Sequence, residues 1–211
     1  MEKIVLVGGG GHSKVIIDII KSRNDFKIVG ITDNRNSEEV LDIPIIGDDT
    51  ALKGIYNGGV NNAFVCIGAI ENTKIRSVIY ENLKVMGFKL PILIHSSAYV
   101  SPYAKIGKGT CIMNRAVVNP DAIVGCNCVV NTGAILEHES VIGNNVQISP
   151  GSVVAGGVEI GRDSFIGINA SIIQGVKIGA SVIVGAGSVV IEDVPDNCVV
   201  VGNPARIIKY K

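Results

Sequence analysis

Residues 118–148 read VNPDAIVGCNCVVNTGAILEHESVIGNNVQI, and every sixth residue from Val118 onwards is valine, leucine or isoleucine. The same register holds without a gap at 17 positions from Ile94 to Val190. The residue four places after each of these positions is Ala, Ser, Thr, Val or Cys, and nothing larger. A fixed period sustained over half of the chain identifies a structural repeat. The repeated positions are Ile94, Val100, Ile106, Ile112, Val118, Val124, Val130, Leu136, Ile142, Ile148, Val154, Ile160, Ile166, Ile172, Ile178, Val184 and Val190.

A period of six indicates a particular kind of β-structure. Each small residue lies two places before the next aliphatic one, and residues two apart share one face of a strand. Glycine, asparagine or an acidic residue often follows the aliphatic position, where the chain needs a corner. Three strands and three corners per 18 residues predict a triangular solenoid in which each coil covers the one below. The 102 residues from Ile94 to Pro195 correspond to between five and six coils.

The residue before each aliphatic position points outwards, and the 18-residue coil assigns these residues to three faces. The first face is almost entirely apolar, and a soluble monomer rarely exposes such a stripe. We therefore predict that a partner subunit covers it, and the prism shape favours a closed three-fold assembly. The alternative is an apolar surface on a monomeric solenoid. The outward residues are Tyr99, Val117, Ile135, Val153, Ser171 and Val189 on the first face, Lys105, Ile123, Val141, Glu159 and Lys177 on the second, and Cys111, Val129, Gln147, Phe165 and Ile183 on the third.

Residues 1–92 have a different pattern, in which strands and helices alternate. Such an alternation predicts a small parallel sheet with right-handed crossovers, here a Rossmann-like α/β domain. The change to period six near Leu93 divides the chain into this domain and a solenoid domain with a C-terminal tail over residues 93–211. The predicted strands cover residues 3–7, 27–32 and 63–67, and the predicted helices lie around residues 15–20 and 73–86.

Charge and composition exclude several classes of protein. The 19 Lys and Arg residues balance the 19 Asp and Glu residues, so no overall field attracts nucleic acid or an anionic membrane. No apolar stretch of about 18 residues is present, and the N-terminus enters a strand pattern without the shape of a signal peptide. The five cysteines contain no CxxC pair, so no structural metal site is expected. We expect a protein of the reducing cytoplasm.

The repeat resembles that of the hexapeptide-repeat acyltransferases, whose fold is a left-handed parallel β-helix. The ending VGNPAR at residues 201–206 is typical of that superfamily. The glycine-rich stretch 8–13, the sequence IHSSA at 94–98 and Glu137–Glu139 narrow the resemblance to one family, the sialic acid O-acetyltransferases and nucleotide-aminosugar N-acetyltransferases. The resemblance covers essentially the whole chain. It implies a homotrimer, acetyl-CoA as the acetyl donor and an active site between adjacent solenoids.

By this resemblance His138 is the catalytic base and Glu139 is its partner. Transfer of an acetyl group to an amine or a hydroxyl needs a base that takes the proton as the nucleophile attacks the thioester. An imidazole suits this task, and general-base help contributes roughly 10²–10⁴-fold. Glu139 would fix the tautomer of the ring. Attack on acetyl-CoA would then be direct, without an acyl-enzyme. Spacing alone also allows His138 to be a solvated corner residue.

The resemblance assigns Gln147, Ile168 and Ala186 to the binding of acetyl-CoA. Several family members have a histidine at the position of Gln147, near the thioester carbonyl. A glutamine amide can donate a hydrogen bond to that oxygen but cannot carry a proton. Ile168 and Ala186 lie in GINA (167–170) and GAGS (185–188), where small residues let the pantetheine arm approach backbone amides. The same sequences would also serve as plain solenoid corners.

The glycine-rich stretch 8–13 is a weak match to the dinucleotide-binding pattern, because Ser13 replaces the third glycine of GxGxxG. Glycines between a strand and a helix still expose backbone N–H groups to a phosphate. The resemblance assigns Gly10, Gly11 and His12 to the nucleotide-sugar acceptor, and Asp33 and Asn34 to its nucleoside. Asp33 could equally be a turn residue at the end of a strand.

These observations lead to one main hypothesis and two alternatives. We expect an acetyl-CoA-dependent N-acetyltransferase that acts on the amino group of a nucleotide-linked aminosugar, UDP-linked by preference, in bacterial glycan biosynthesis. O-acetylation of sialic acid or a related sugar is the first alternative, and a base at His138 would serve both reactions. A non-catalytic trimeric scaffold that binds sugar nucleotides is the second. Three histidines without clustering disfavour a zinc-dependent solenoid of the carbonic anhydrase type.

Overall fold

The computed structural model describes residues 1–35, 38–68 and 73–211. The N-terminal domain contains a three-stranded parallel sheet in the order β2-β1-β5, with β1 in the centre. The elements in chain order are β1 (Glu2–Val7), α1 (Gly11–Arg23), β2 (Phe26–Thr32), β3 (Glu39–Val40), β4 (Ile43–Pro44), a 3₁₀ turn (Asp49–Ala51), α2 (Leu52–Asn57), β5 (Asn62–Val65) and α3 (Lys74–Val85).

The predicted helices and strands of this domain are present with shifted boundaries, and β3, β4 and α2 are additional elements that the sequence pattern did not predict. Helix α1 buries Ile16, Ile17, Ile19 and Ile20 against the sheet, at the spacing of one helical face. Asn24 ends α1 in the left-handed conformation, and its N–H donates to the Ile20 carbonyl. Strand β5 stops at Val65, two residues before the end of the predicted segment, because the chain leaves the sheet there to line a cavity.

The C-terminal part is a parallel β-solenoid of two-residue strands, as the period predicts. Each strand pairs in parallel with the strand 18 residues later, for example Ile135 with Val153. The first face contains β7 (Tyr99–Val100), β10 (Val117–Val118), β13 (Ile135–Leu136), β16 (Val153–Val154), β19 (Ser171–Ile172) and β22 (Val189–Val190). The second contains β8 (Lys105–Ile106), β11 (Ile123–Val124), β14 (Val141–Ile142), β17 (Glu159–Ile160) and β20 (Lys177–Ile178). The third contains β6 (Leu93–Ile94), β9 (Cys111–Ile112), β12 (Val129–Val130), β15 (Gln147–Ile148), β18 (Phe165–Ile166), β21 (Ile183–Val184), β23 (Cys198–Gly202) and β24 (Ala205–Tyr210).

The repeated aliphatic and small residues form one continuous core inside the prism. Full burial of each Val, Leu or Ile side chain contributes about 1.5–3 kcal/mol, which makes the stacked layers the main source of stability. Coils lie so close at one corner that a side chain does not fit. A Cβ at Gly143 would lie 2.6 Å from the backbone nitrogen of Arg162 in the next coil. Glycine is therefore required at that corner by the packing of adjacent coils, whereas the sequence pattern led us to expect it there for the turn itself.

The N-terminal domain covers the first coils of the third face of the solenoid. On these coils the outward residues Cys111 and Val129 are 0% and 3% exposed, and they share a core cluster with Ile4 and Ile16 of the N-terminal domain. Phe165 and Ile183, further along the same face, are half-exposed. On the first face, in contrast, Ile135 and its neighbours remain half-exposed, and Tyr99 at the end of the row is 55% exposed. The sequence did not predict which face the N-terminal domain would cover.

The last coil ends in a hairpin that extends only the third face. Strand β23 pairs in parallel with β21, and β24 then folds back antiparallel on β23. The first and second faces end at β22 and β20. Within the described ranges, no helix has the length and hydropathy needed to cross a membrane.

Candidate active site

His138 lies at a corner of the solenoid, between β13 of the first face and β14 of the second. The next residue, Glu139, adopts the left-handed backbone conformation with φ of 59°, which turns the chain sharply at this point. The Nδ1 atom of His138 lies 3.1 Å from the Glu139 carboxylate. Their side chains are 62% and 70% exposed. With Nδ1 facing the carboxylate as donor, the other ring nitrogen, Nε2, carries the lone pair and is available as a base.

Gly156 makes room for this imidazole on the next coil. It lies 18 residues after His138, at the same corner. A Cβ on Gly156 would lie 2.6 Å from Cε1 and 2.7 Å from Nε2 of His138. Real Cβ atoms do not approach that closely, so any side chain here would displace the ring. The sequence reasoning missed this residue, although the 18-residue period gives its position directly.

The glycine-rich loop of the N-terminal domain lines a separate cavity of about 560 Å³. One wall is the loop between β1 and α1, which contributes Gly8, Gly10 and Gly11. Gly10 is the N-cap of α1, and no side chain accepts a hydrogen bond from the first turn. The free N–H groups and the helix dipole therefore give this wall a partial positive charge. Met113, Asn131 and Gln147 of the solenoid form the opposite wall.

His12 lines the same cavity and is uncharged at neutral pH. Burial, together with the nearby Arg76 guanidinium, lowers the pKa of His12 to about 4. Its Nε2 atom is buried and has no hydrogen-bond partner among the residues that the structure describes. Buried polar groups are normally paired, so an unpaired nitrogen in a cavity wall suggests a ligand as its partner. The structure thus brings the predicted residues Gly10, Gly11 and His12 together.

Asp33 follows the last residue of β2 and lies at the mouth of this cavity, with Asn34 exposed beside it. The Asp33 carboxylate forms a two-pronged ion pair with Arg35, with Nε–Oδ1 of 2.9 Å and Nη2–Oδ2 of 3.1 Å. The hydrogen bonds from Arg35 lower the pKa of Asp33 to about 2. Arg35 also lines the cavity, and the sequence reasoning did not select it.

Gln147 lies inside the cavity wall, under the N-terminal domain, and not at the His138 corner. Its side-chain oxygen accepts a hydrogen bond of 3.3 Å from Nη1 of Arg76, which α3 contributes. Nη2 of Arg76 donates to the Asn145 carbonyl at 2.6 Å. Arg76 is 1% exposed, and burial lowers its pKa. The side chain remains a cation because the usual pKa of arginine is very high. This buried arginine joins the two domains, and the sequence contained no signal for it.

The remaining predicted residues, Ile168 and Ala186, are both exposed and lie one above the other. They follow β18 and β21, at the corner between the third and first faces. Asn131, in the cavity wall, lies at the same corner two coils lower. His138 lies at the other edge of the first face. A single chain therefore presents the cavity and the exposed corner column on one edge, and the histidine on the opposite edge.

The described residues contain no group of three or more His, Cys, Asp or Glu side chains that could hold a metal ion. Each of the five cysteines, Cys66, Cys111, Cys126, Cys128 and Cys198, is a free thiol. Burial raises the pKa of both the Cys111 and the Cys128 thiol to about 12, so these two side chains are inert packing groups.

Comparisons with known proteins agree with this geometry. Residues 3–83 match the PglD N-terminal domain, residues 139–167 and 157–192 match the bacterial transferase hexapeptide repeat, and residues 120–150 match the hexapeptide repeat of succinyl-transferase. A curated relative, the UDP-N-acetylbacillosamine N-acetyltransferase of Bacillus subtilis, is 36% identical over 114 residues. That stretch is 54% of this chain and 52% of the relative, so the match spans about half of the relative's length.

Two solved structures match over nearly their whole length. PerB from Caulobacter crescentus, in complex with CoA and GDP-perosamine, is 37% identical with a TM-score of 0.93, and the match covers 99% of this chain and 98% of that one. The acetyltransferase domain of PglB from Neisseria gonorrhoeae, in complex with acetyl coenzyme A, is 36% identical with a TM-score of 0.90, covering 98% and 99%.

A hexapeptide-repeat solenoid preceded by a glycine-loop α/β domain defines the class of left-handed β-helix acetyltransferases. Within that class, the chain belongs to the family of PglD-type nucleotide-aminosugar N-acetyltransferases. The predicted fold, family and enzyme class are thereby confirmed, and acetyl-CoA is the family's acetyl donor.

Proposed function

We propose that the protein transfers the acetyl group of acetyl-CoA to the amino group of a nucleotide-linked aminosugar, in a homotrimer with active sites between subunits. The observation that carries this proposal is the separation of the two half-sites, the cavity on one edge of the apolar first face and His138 on the other. One chain alone cannot join them. Relatives solved with CoA, GDP-perosamine or acetyl coenzyme A supply the substrate class.

A three-fold axis beside the first face would complete the site. Each first face would turn towards the axis and bury its apolar stripe. The cavity edge of one protomer would then meet the His138 edge of the next, in a head-to-tail contact that closes after three subunits. This arrangement explains both the exposed stripe and the incomplete site of the single chain.

The reaction then follows from the groups at the joined edges. The acceptor nitrogen attacks the thioester carbonyl while Nε2 of His138 takes its proton, and Glu139 stabilises the imidazolium through Nδ1. The C–S bond breaks as the C–N bond becomes an amide, and the CoA thiolate takes up the proton. Gln147, held by Arg76, is the proposed hydrogen-bond donor to the thioester oxygen. Ile168 and Ala186 form the proposed surface for the pantetheine arm.

The cavity would hold the nucleotide part of the acceptor. Gly10 and Gly11 at the start of α1 offer backbone N–H groups to phosphate, as helix N-termini do in many nucleotide sites. The neutral His12 would accept or donate one hydrogen bond there, and Asn34 lies at the side of the cavity mouth. Free thiols and a CoA substrate support the cytoplasm as the place of reaction.

Thioester release measured with UDP-, GDP- and dTDP-linked aminosugars and with free sialic acid tests the reaction. We expect turnover with a nucleotide-linked amine and a loss of about 10²- to 10⁴-fold in kcat for His138→Ala, at unchanged mass. Turnover with sialic acid alone would favour the O-acetyltransferase, and no turnover with any acceptor would favour the scaffold.

Mixed trimers test whether the site is shared between subunits. His138→Ala removes the base, and Gly11→Phe fills the cavity, since no atom lies within 4 Å of a Cβ at Gly11. Each variant alone should be inactive. After the two are unfolded and refolded together in equal amounts, about one quarter of the sites combine an intact cavity with an intact neighbouring histidine, so about one quarter of the activity should return. No recovery would place both half-sites in the same chain.

A further inference from the structure

Asp33 and Arg35 form an ion pair at the mouth of the cavity. The hydrogen-bond acceptor positions of Asp33 are all occupied, whereas the pair uses only some of the N–H donors of Arg35. A carboxylate has four lone-pair positions. The Oδ1 atom of Asp33 accepts from the backbone nitrogen of Arg35 at 2.8 Å and from its Nε. Oδ2 accepts from the backbone nitrogen of Gly9 and from Nη2 of Arg35. All four positions are filled by the protein itself, so Asp33 has no free acceptor for a ligand.

Arg35 is the member of the pair that can still bind. A guanidinium has five N–H donors, and the ion pair with Asp33 uses two of them. The side chain is 59% exposed, whereas that of Asp33 is 12% exposed. The hydrogen bonds to Asp33 raise the pKa of Arg35, so the group is a cation at every pH that the protein meets. Within the part of the chain that the structure describes, the Nη1 edge and one hydrogen of Nη2 have no other partner.

The ion pair holds this guanidinium over the glycine loop. Nη2 of Arg35 lies 3.3 Å from where a Cβ of residue 9 would be and 3.8 Å from where one of residue 10 would be. It therefore lies close to the uncapped start of α1. His12 lines the same cavity, and its buried Nε2 has no partner among the described residues. Two kinds of donor thus converge on one space, a guanidinium and free backbone N–H groups, with the His12 ring beside them.

We propose that Arg35 binds the diphosphate of the nucleotide-linked acceptor, and that Asp33 is a positioning residue that acts through Arg35 and makes no contact with the nucleoside. The proposal rests on the function proposed above. A planar guanidinium matches two phosphate oxygens with parallel hydrogen bonds, and the N-terminus of α1 adds neighbouring donors of the same sign. The carboxylate neutralises part of the local charge and fixes the plane of the fork.

Calorimetric titration of the intact protein with UDP, GDP, dTDP and the corresponding nucleosides tests this role. For whichever diphosphate the wild type binds, Arg35→Ala should raise Kd by about 10- to 100-fold, while the Kd of the matching nucleoside stays within about twofold. Arg35→Lys should give an intermediate value, because it keeps the charge and loses the fork. Arg23→Ala is the matched control, since Arg23 pairs with Asp25 two residues away at the opposite end of α1.

A double-mutant cycle separates the positioning role from a direct one. Asp33→Asn should weaken diphosphate binding in the wild-type background and add nothing to Arg35→Ala. Additive losses would show that Asp33 contacts the ligand and would overturn its positioning role. An unchanged diphosphate Kd in Arg35→Ala, or an equal loss of nucleoside binding, would overturn the role of Arg35 alone. If the wild type bound none of the three diphosphates and acetylated no nucleotide-linked amine, the proposed function itself would fail.

Discussion

The first and third faces of the solenoid have outward residues of similar character, but only the third face has coils that a domain of the same chain covers. Cys111 and Val129 of the third face are almost fully buried beneath the N-terminal domain. Val117, Ile135 and Val153 of the first face are half-exposed in the single chain. A row of outward residues that is apolar along most of a solenoid face thus marks a surface suited to a cover, either a domain of the same chain or another subunit.

The N-terminal domain on the third face and the subunit predicted on the first face also differ in the interactions that would hold them. A buried arginine and a shared apolar cluster hold the N-terminal domain on the third face. On the first face the outward side chains are almost all apolar, with Ser171 as the exception among the aliphatic residues. The first face therefore suits a contact that is stabilised by burial of apolar surface area. The contact of the N-terminal domain with the third face is stabilised by apolar burial and by the buried arginine as well.

The largest expected effect comes from a charge on the first face. Ile135→Glu should place a carboxylate in the predicted subunit contact, release monomers of one third of the mass and remove activity, because each site would lose one of its two edges. Ile123→Glu is the matched control, since Ile123 is 42% exposed on the second face and should leave mass and activity unchanged. Sedimentation analysis measures both. An unchanged mass for Ile135→Glu would mean that the stripe is not an interface.

Removal of the Arg76 side chain should weaken the contact between the N-terminal domain and the third face. Arg76→Ala leaves the Asn145 carbonyl and the Gln147 oxygen without their donor and opens a cavity, at a cost of about 2–4 kcal/mol in the free energy of unfolding. Urea unfolding gives the value, and hydrogen exchange should rise first at Val129. Arg162→Ala, whose side chain is 78% exposed, should change stability by less than about 0.5 kcal/mol. Equal small effects for both variants would contradict this role of Arg76.

A methyl group at Gly156 tests whether the position of the His138 imidazole matters for catalysis, because it leaves the proposed catalytic side chains in place. Gly156→Ala should push the imidazole from its position and lower kcat by about 10- to 100-fold, with the mass of the assembly unchanged. Gly54→Ala in α2 is the control, because a Cβ there meets open space. Wild-type kcat in Gly156→Ala would show that the ring position of the resting protein is not the catalytic one.

The last expected effect is a pH dependence of stability, which comes from His12 in the N-terminal domain. Its pKa is about 4 in the folded protein and about 6.5 when unfolded, so between these values the unfolded chain binds a proton that the folded chain does not. Stability should therefore fall as the pH drops from 6.5 to 4, by at most about 1.4 kcal/mol per pH unit. Urea unfolding of the wild type and His12→Asn across this range should show a shallower slope for the variant. Parallel slopes would contradict the lowered pKa.

The period of six predicted the solenoid in detail, because each strand pairs with the same position one coil away. The strand register, the buried aliphatic layers and the three faces follow from counting along the chain. The choice of covered face did not follow, because it depends on how the N-terminal domain packs after Leu93, and no local pattern describes that packing.

The candidate site was predictable to the extent that it lies in local motifs. The glycine loop precedes a helix, and His138 follows a strand by two residues, so each could be selected from its surroundings in the sequence. Arg76 could not, since its partners Gln147 and Asn145 lie in the solenoid, and Arg35 could not, since only the fold brings it over the glycine loop. Gly156 is an intermediate case, visible only once the 18-residue coil is known.

The terminal hairpin has a consequence for growth of the solenoid. A parallel coil ends in exposed strand edges, and a second molecule could in principle continue the stack end to end into a fibre. Strand β24 reverses direction against β23, so at the third face the outermost ladder is antiparallel and cannot serve as a template for another parallel coil. The hairpin therefore blocks end-to-end growth of the parallel stack at the third face.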